Sequence, residues 1–312
     1  MKKTTPELDE VEQFLTSRHR QGISDLEMLH GGFWSAAYGY RVDGRGLVLR
    51  IGQNREWFDI ERDAMTYHAP DLPVPEVIEI GDGLGGAYAI SVRHYGRFLE
   101  TIAPHEADNA GRTIVRLLAA LKGVPPRATP PQWCDSLRGA LIDDYPERHD
   151  HGWRDKLAAY PDHDALFRAC EARIVNLIAS CPERADLIHG DLLSANVLVN
   201  DDASHVTAVF SWKCSRRGDF LYDTALCTFM GGAFYPGIAG ADVYRRVLRD
   251  PQITAESGVI DDAASRHHCY ELHIGATHLG GNAWLGNEEG LRAVATHTQA
   301  ILDRGPLMAD DP

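Results

Sequence analysis

The sequence predicts an α+β protein of two lobes: a small antiparallel-sheet lobe over residues 1–93 and a larger helical lobe over residues 94–312. Three observations lead there. Short apolar runs punctuated by glycine-bearing turns fill the first lobe. After Arg93 the apolar residues recur at helical spacing. Inside the helical part, one pair of short apolar runs returns to strand character, Val197–Val199 and Val206–Phe210, joined at the turn signal Asn200-Asp201-Asp202.

The first helix is expected to start with Thr5 as N-cap and Pro6 at the first helical position, with Leu8, Val11, Phe14 and Leu15 as its apolar stripe. Ile23–Leu29 reads as a strand, followed by a glycine-bearing turn at Gly31-Gly32-Phe33-Trp34 and a second strand to Val42. Asp43-Gly44-Arg45-Gly46 is a hairpin turn, and Leu47–Ile51 a short apolar strand. A helix is expected over 56–68, with Trp57, Ile60, Ala64 and Tyr67 as its apolar face. Pro70 to Pro75 ends it. Val77–Ile80 and Ala87–Val92 are two further strands around the turn Gly81 to Gly86. Thr113–Leu121 is an apolar helix, Val124–Gln132 a proline-rich loop, and Asp164–Ile178 an amphipathic helix. Later helices are expected near Tyr222, at Ala241–Leu248, at Asp262–Trp284 and at Glu289–Leu302. A sheet lobe followed by a helical lobe with one internal hairpin is the element order of a protein-kinase-like fold.

Composition narrows the function classes. Hydrophobic residues make up 44% and charged residues 24%, as in ordinary globular proteins, so wholesale disorder is excluded. The formal net charge of −14 opposes nucleic-acid binding and suits a cationic small ligand. No apolar run approaches the length of a membrane span, and MKKTTPELDE lacks the apolar core of a signal peptide, so a cytoplasmic monomer is expected. The six cysteines contain no C-x-x-C pair and are expected as reduced thiols.

The sharpest motif is His189-Gly190-Asp191-Leu192-Leu193-Ser194-Ala195-Asn196. In a kinase catalytic loop an Asp accepts the proton of the acceptor hydroxyl, and an Asn five residues later holds Mg²⁺. Chance would produce this spacing on the order of once in a thousand chains of this length. His189 is expected to support the loop by hydrogen bonding.

With these residues the chain resembles the aminoglycoside phosphotransferases, from about Leu29 to Trp284. Leu187–Asn200 looks like their catalytic loop and following strand. Gly46–Arg50, Leu72–Val77 and Gly218–Asp223 also resemble family segments. Arg50 with its strand, and His273-Ile274-Gly275, look most like the hygromycin B kinases. The resemblance implies a two-lobed kinase-like fold with ATP or GTP as co-substrate, and phosphoryl transfer to a hydroxyl of a polycationic antibiotic. Arg50 stands where kinases place the phosphate-contacting Lys, and Glu61 is its expected partner. Gly31–Ser35 would be the flap over the phosphates, with Ser35 as a donor. The segment Ser91–His94, with Ser91 and Arg93, would be the connector against the base.

One position departs from the family. Its metal-binding strand ends in Asp-Trp, whereas this chain reads Val209-Phe210-Ser211-Trp212. A neutral hydroxyl therefore stands where Mg²⁺ is usually held by a carboxylate, and Asn196 with Ser211 forms the expected, weakened metal pair. An introduced substitution, a natural enzyme with a compromised metal site and a pseudokinase all fit that change. From Asp250 onward there are ten acidic and three basic residues. Among the residues near the acceptor, Asp223, Glu271 and Trp284 are the expected substrate contacts. Kinases of macrolides, choline or sugars fit the same motifs. A catalytically silent nucleotide- or ligand-binding protein is the alternative from another class.

Overall fold

The computed structural model describes residues 5–20, 22–29, 35–126, 133–134, 137 and 152–308. The chain packs as two compact units, one of residues 1–101 with 193–214 and one of 102–192 with 215–312. The internal hairpin thus packs with the first unit, and the division is discontinuous in sequence.

The first unit is built on a five-stranded antiparallel sheet. Its strands are β1 (Ser24–Leu29), β2 (Ser35–Val42), β3 (Arg45–Gly52), β4 (Val77–Gly83) and β5 (Gly86–Val92), in the spatial order β1-β2-β3-β5-β4. Two tight turns set the register. Asp43-Gly44 and Leu84-Gly85 each place two consecutive residues at positive φ, the geometry that matches the twist of a two-residue hairpin. The second turn lies inside the expected Gly81–Gly86 stretch, and the strands run up to its edges. Period-two alternation gives each face a separate job. Leu47, Leu49 and Ile51 of β3 join Tyr38, Tyr40, Tyr88 and Ile90 in a core closed by Val11 and Leu15 of helix α1 (Leu8–Arg18). On the other face, Val77, Ala87 and Ala89 pack with Phe58 of helix α2 (Arg55–Ala64).

Both helices correct the sequence expectation. α1 begins two residues later than a Thr5 cap requires. Its N-cap is Glu7, whose amide donates to the Glu10 carboxylate at 3.2 Å. The Pro6 carbonyl is tied to the Tyr38 hydroxyl at 2.5 Å, which holds residues 5–6 outside the helix. α2 is capped by Asn54, which accepts from Glu56 N, and it ends at Ala64 before a tight turn over Met65–Tyr67. Its buried residues are Phe58, Glu61 and Ala64, so the face is rotated from the expected Trp57/Ile60/Ala64/Tyr67 stripe. A charged side chain defines that face as much as apolar ones do, because Glu61 meets Arg50 of β3.

The hairpin Val197–Val199/Val206–Val209, with Arg97–Phe98 alongside, forms a three-stranded sheet. The turn is closed by Asn200, whose carbonyl accepts from Ala203 N at 3.0 Å.

The second unit is helical, with its long elements at Ala107–Lys122, Pro161–Leu177, Leu221–Met230, Ala263–Leu285 and Glu288–Arg304. Part of the expected loop, residues 127–132, lies outside the described residues. The helix Ala263–Leu285 is the hub and is buried nearly all round, including Arg266, His267, His268, Glu271 and His273. All six cysteines are free thiols. Among the described residues, no helix is long and apolar enough to cross a membrane.

Candidate functional site

In the first unit, one cavity of about 270 Å³ gathers every nucleotide and metal candidate: Ser35, Arg50, Glu61, Ser91, Arg93, Asn196 and Ser211 all line it. Alternation in β3 explains the first of these. With Leu47, Leu49 and Ile51 turned into the core, Val48 and Arg50 must face the opposite side.

Arg50 donates from Nη1 to Glu61 Oε1 at 2.6 Å, and its second terminal nitrogen pairs with Oε2, so the contact is a two-point fork. The pair is mostly buried, with side-chain exposures of 14% and 9%. Burial lowers the Arg50 guanidinium to about 10, still a full cation at neutral pH. Phe58 supports it, its ring centroid 5.6 Å from the guanidinium carbon. A fixed, planar cation at a cavity wall is suited to phosphate oxygens.

The hairpin delivers the metal candidates together. Val197 pairs with Val209, and Phe210 N donates to Asn196 O at 3.0 Å, so the pairing extends one residue beyond the strands. Asn196 and Ser211 therefore leave the same end of the hairpin. Ser211 itself sits at φ +69°, a left-handed backbone where Asn and Asp are the enriched non-glycine residues. The next residue, Trp212, is buried; its indole donates to Val209 O at 3.3 Å and its ring lies 5.6 Å from Tyr67.

Ser91 and Arg93 line the cavity, but two connector amides are already engaged. Val92 N donates to Glu76 O at 2.9 Å and Arg93 N to Gly46 O at 3.0 Å. The Arg93 guanidinium is drawn to Glu27 at 2.7 Å. The expected flap, Gly31-Gly32-Phe33-Trp34, lies outside the described residues, and only Ser35 of it is seen. Sequence reasoning missed Val77, Leu198 and Phe210 on the cavity wall. Strand alternation counted from Arg50 across β3 and β5 was the available signal for Val77, because Val48 and Val77 both register against Ser91.

The second unit holds Asp191, Asp223, Glu271 and Trp284. Asp191 is half-buried in its loop, and its amide donates to His189 Nδ1 at 3.2 Å. Asp223, expected as a substrate contact, is buried beside the His189-Gly190 stretch of that loop. It is 1% exposed, and its two oxygens accept from His189 N at 2.6 Å and Gly190 N at 2.8 Å. Burial raises its carboxyl to about 6, against the pull of those two amides. Glu271 is also turned inward, 1% exposed, and receives Arg304 Nη2 at 2.5 Å, with His267 Nδ1 at 3.5 Å. Burial pushes its carboxyl up, but His267 and Arg304 outweigh this and hold it below its usual value. The Glu271 carboxylate, expected as a substrate contact, is thus engaged by side chains of its own unit. Trp284 is half-buried near the end of its helix, where its carbonyl accepts from Lys156 Nζ at 2.8 Å. Among the described residues, no group of three or more His, Cys, Asp and Glu is placed to hold a metal.

The profile of the Phosphotransferase enzyme family (APH) matches residues 27–258, most of the chain. The chain belongs to that family. This phosphotransferase is 29% identical over 296 residues to the hygromycin-B 4-O-kinase of Escherichia coli, a match covering 89% of this chain and 80% of the relative. In fold it is similar to the crystal structure of aminoglycoside phosphotransferase APH(4)-Ia, with a TM-score of 0.78 at 24% identity, covering 96% of this chain and 99% of that one. A thermostable mutant of the same protein, solved as a ternary complex with ADP and hygromycin B, gives a TM-score of 0.78 at 24% identity over 95% and 99% of the two chains. Aminoglycoside 2'-phosphotransferase-IIIa in its GDP complex shares the fold more distantly, with a TM-score of 0.59 at 15% identity over 96% and 99%. The sheet unit and helical unit of this phosphotransferase are those of the kinase-like fold.

Proposed function

We propose that this phosphotransferase moves the γ-phosphate of ATP or GTP to a hydroxyl of an aminoglycoside of the hygromycin B type. The observation that carries the nucleotide half is the single cavity bordered by the Arg50–Glu61 fork, Ser91, Asn196 and Ser211. The acceptor half is supported by the hygromycin-B 4-O-kinase relative and by the net charge of −14, which favours a polycation.

Asp191 orients the acceptor hydroxyl and takes its proton, and Asp223 keeps the loop in shape by holding the two amides before it. Arg50 binds phosphate oxygens and is kept from swinging by Glu61. Asn196 and Ser211 offer an amide oxygen and a hydroxyl, both hard donors that suit Mg²⁺, while the Glu61 carboxylate at the same cavity is committed to Arg50. Two neutral donors fit a metal that arrives on the nucleotide, with the phosphates supplying the charge. When bound, the ion neutralises charge on the phosphates during transfer.

The test is nucleotide consumption across a panel of aminoglycosides, with Asp191→Asn alongside. The parent should turn over hygromycin B. The mutant should lose about 10²- to 10⁴-fold in turnover with calorimetric nucleotide affinity retained. Undiminished turnover in the mutant removes Asp191 from its role. Ser211 supports a second reading, a nucleotide-binding protein without turnover. Tight nucleotide binding with no consumption on any acceptor would select it.

A further inference from the structure

The loop that delivers Asn196 has an uncommon backbone just before it. Ala195 sits at φ +59°, in the left-handed region that alanine avoids because Cβ crowds the following carbonyl. Nothing in the side chain of alanine repays that conformation locally, unlike Asn or Asp. The restraint comes from a distant residue: Ala195 N donates to Glu100 Oε1 at 2.5 Å, a charge-assisted hydrogen bond. Glu100 lies in the short turn Leu99–Thr101, directly after the strand Arg97–Phe98. That strand pairs with the catalytic hairpin itself, Arg97 opposite Val199 and Phe98 opposite Leu198, and Leu99 is buried. The turn is thus pinned to the hairpin that begins two residues after the one it restrains. On the other side of Ala195, Asn196 is buried to 6% exposure, lines the nucleotide cavity and accepts from Phe210 N.

We infer that Glu100 is a positioning residue for phosphoryl transfer. Its carboxylate holds Ala195 in the left-handed conformation that presents the Asn196 amide to the nucleotide cavity. The inference rests on the reading of Asn196 as a ligand of the nucleotide-borne metal.

Calorimetric ADP binding, with and without Mg²⁺, tests it on the parent, Glu100→Ala, Ala195→Gly and the double variant. Glu100→Ala should weaken Mg²⁺-ADP binding about tenfold and leave metal-free ADP binding within about twofold. Glycine adopts the left-handed backbone without steric cost, so adding Ala195→Gly should recover most of the loss. Equal losses with and without Mg²⁺ would show a deformed cavity and overturn the inference, as would the absence of recovery by glycine. If Glu100→Ala does not fold, Glu100→Gln, which keeps the shape and loses the charge, carries the same comparison. If Mg²⁺ does not tighten ADP binding in the parent, the metal reading of Asn196 fails instead. Hydrogen exchange at the Ala195 amide then decides the role of Glu100. Lost protection in the Glu100 variant supports it, and retained protection overturns it.

Discussion

Among the described residues, two of the buried arginine–carboxylate pairs, one in each unit, are built differently. In the helical unit, Arg266 and Asp219 are 1% and 0% exposed. Arg266 donates to both oxygens of Asp219 and to the carbonyls of Val259 and Asp261, each at 2.8 Å, and the Tyr270 hydroxyl completes the carboxylate. In the sheet unit, Arg50 and Glu61 form the same kind of fork but border an open cavity. The difference teaches what burial is for in each place. A guanidinium whose donors all end on its own chain is a structural tie between distant segments. One held on a single carboxylate at a cavity wall is fixed in direction while its surface still faces the cavity. The first arrangement ties distant segments together, and the second leaves a fixed cation at a cavity wall, a geometry suited to phosphate oxygens.

Four measurements would break or sharpen that contrast. The largest effect is expected from Arg266→Ala, which strands Asp219 in the interior. Denaturant unfolding should show a loss of about 3–5 kcal/mol. A loss below about 1 kcal/mol would mean that the pair is no structural tie.

The second concerns acid. Burial lowers His268 to about 4 and His273 to about 3, against an ordinary value near 6.5. The unfolded chain therefore binds these protons more readily than the fold does. The stabilising contribution is complete above pH ~6.5 and is lost as pH falls through the folded values. His268 alone accounts for at most about 3 kcal/mol between pH ~6.5 and ~4. Unfolding curves at the two ends of that window should show this decline, and His268→Leu should remove its share. An unchanged slope in the variant would rule out His268 as an acid-sensitive element.

The third is Arg50→Ala. Nucleotide affinity should fall by about 10- to 100-fold, the worth of a charge-assisted contact, and aminoglycoside affinity by less. Equal losses for both ligands would make Arg50 a structural tie like Arg266, and the contrast would collapse.

The smallest effect is expected from Ser211→Asp. The left-handed backbone at 211 accepts Asp, and a restored carboxylate acts mainly on the transition state. Turnover should rise by at least about tenfold, roughly 1.4 kcal/mol off the barrier, with a lower half-saturating Mg²⁺ concentration. A folded, nucleotide-binding variant no faster than the parent at saturating Mg²⁺ would refute the metal reading of this position.

The cavity residues were legible because their rules are local. Arg50 follows from alternation along a single strand, and Asn196 and Ser211 from the spacing of one hairpin. Glu61 was readable as a partner because it lies on the helix that follows that strand. The direction in which the expected acceptor residues point was not legible. Asp223 and Glu271 carry the charge an aminoglycoside would want, and their neighbours in sequence give no sign of direction. The partners that turn them inward, His189, Gly190, Arg304 and His267, reach across the helical unit for all but one contact.

By itself, then, the amino-acid sequence determined the family, the antiparallel sheet with its hairpin turns, the H-G-D-x4-N spacing and the serine at position 211. Turn conformations and strand alternation depend on residues within a few positions of each other, and so they can be read along the chain. Tertiary structure decided where α1 begins, which face of α2 is buried, and whether a carboxylate points to a ligand or into the interior. Each of those outcomes is set by a hydrogen bond or ion pair from another element: Tyr38 on Pro6, Arg50 on Glu61, two loop amides on Asp223. A buried charge is stable only where such partners meet it, and which partners meet it is known only once the chain is folded.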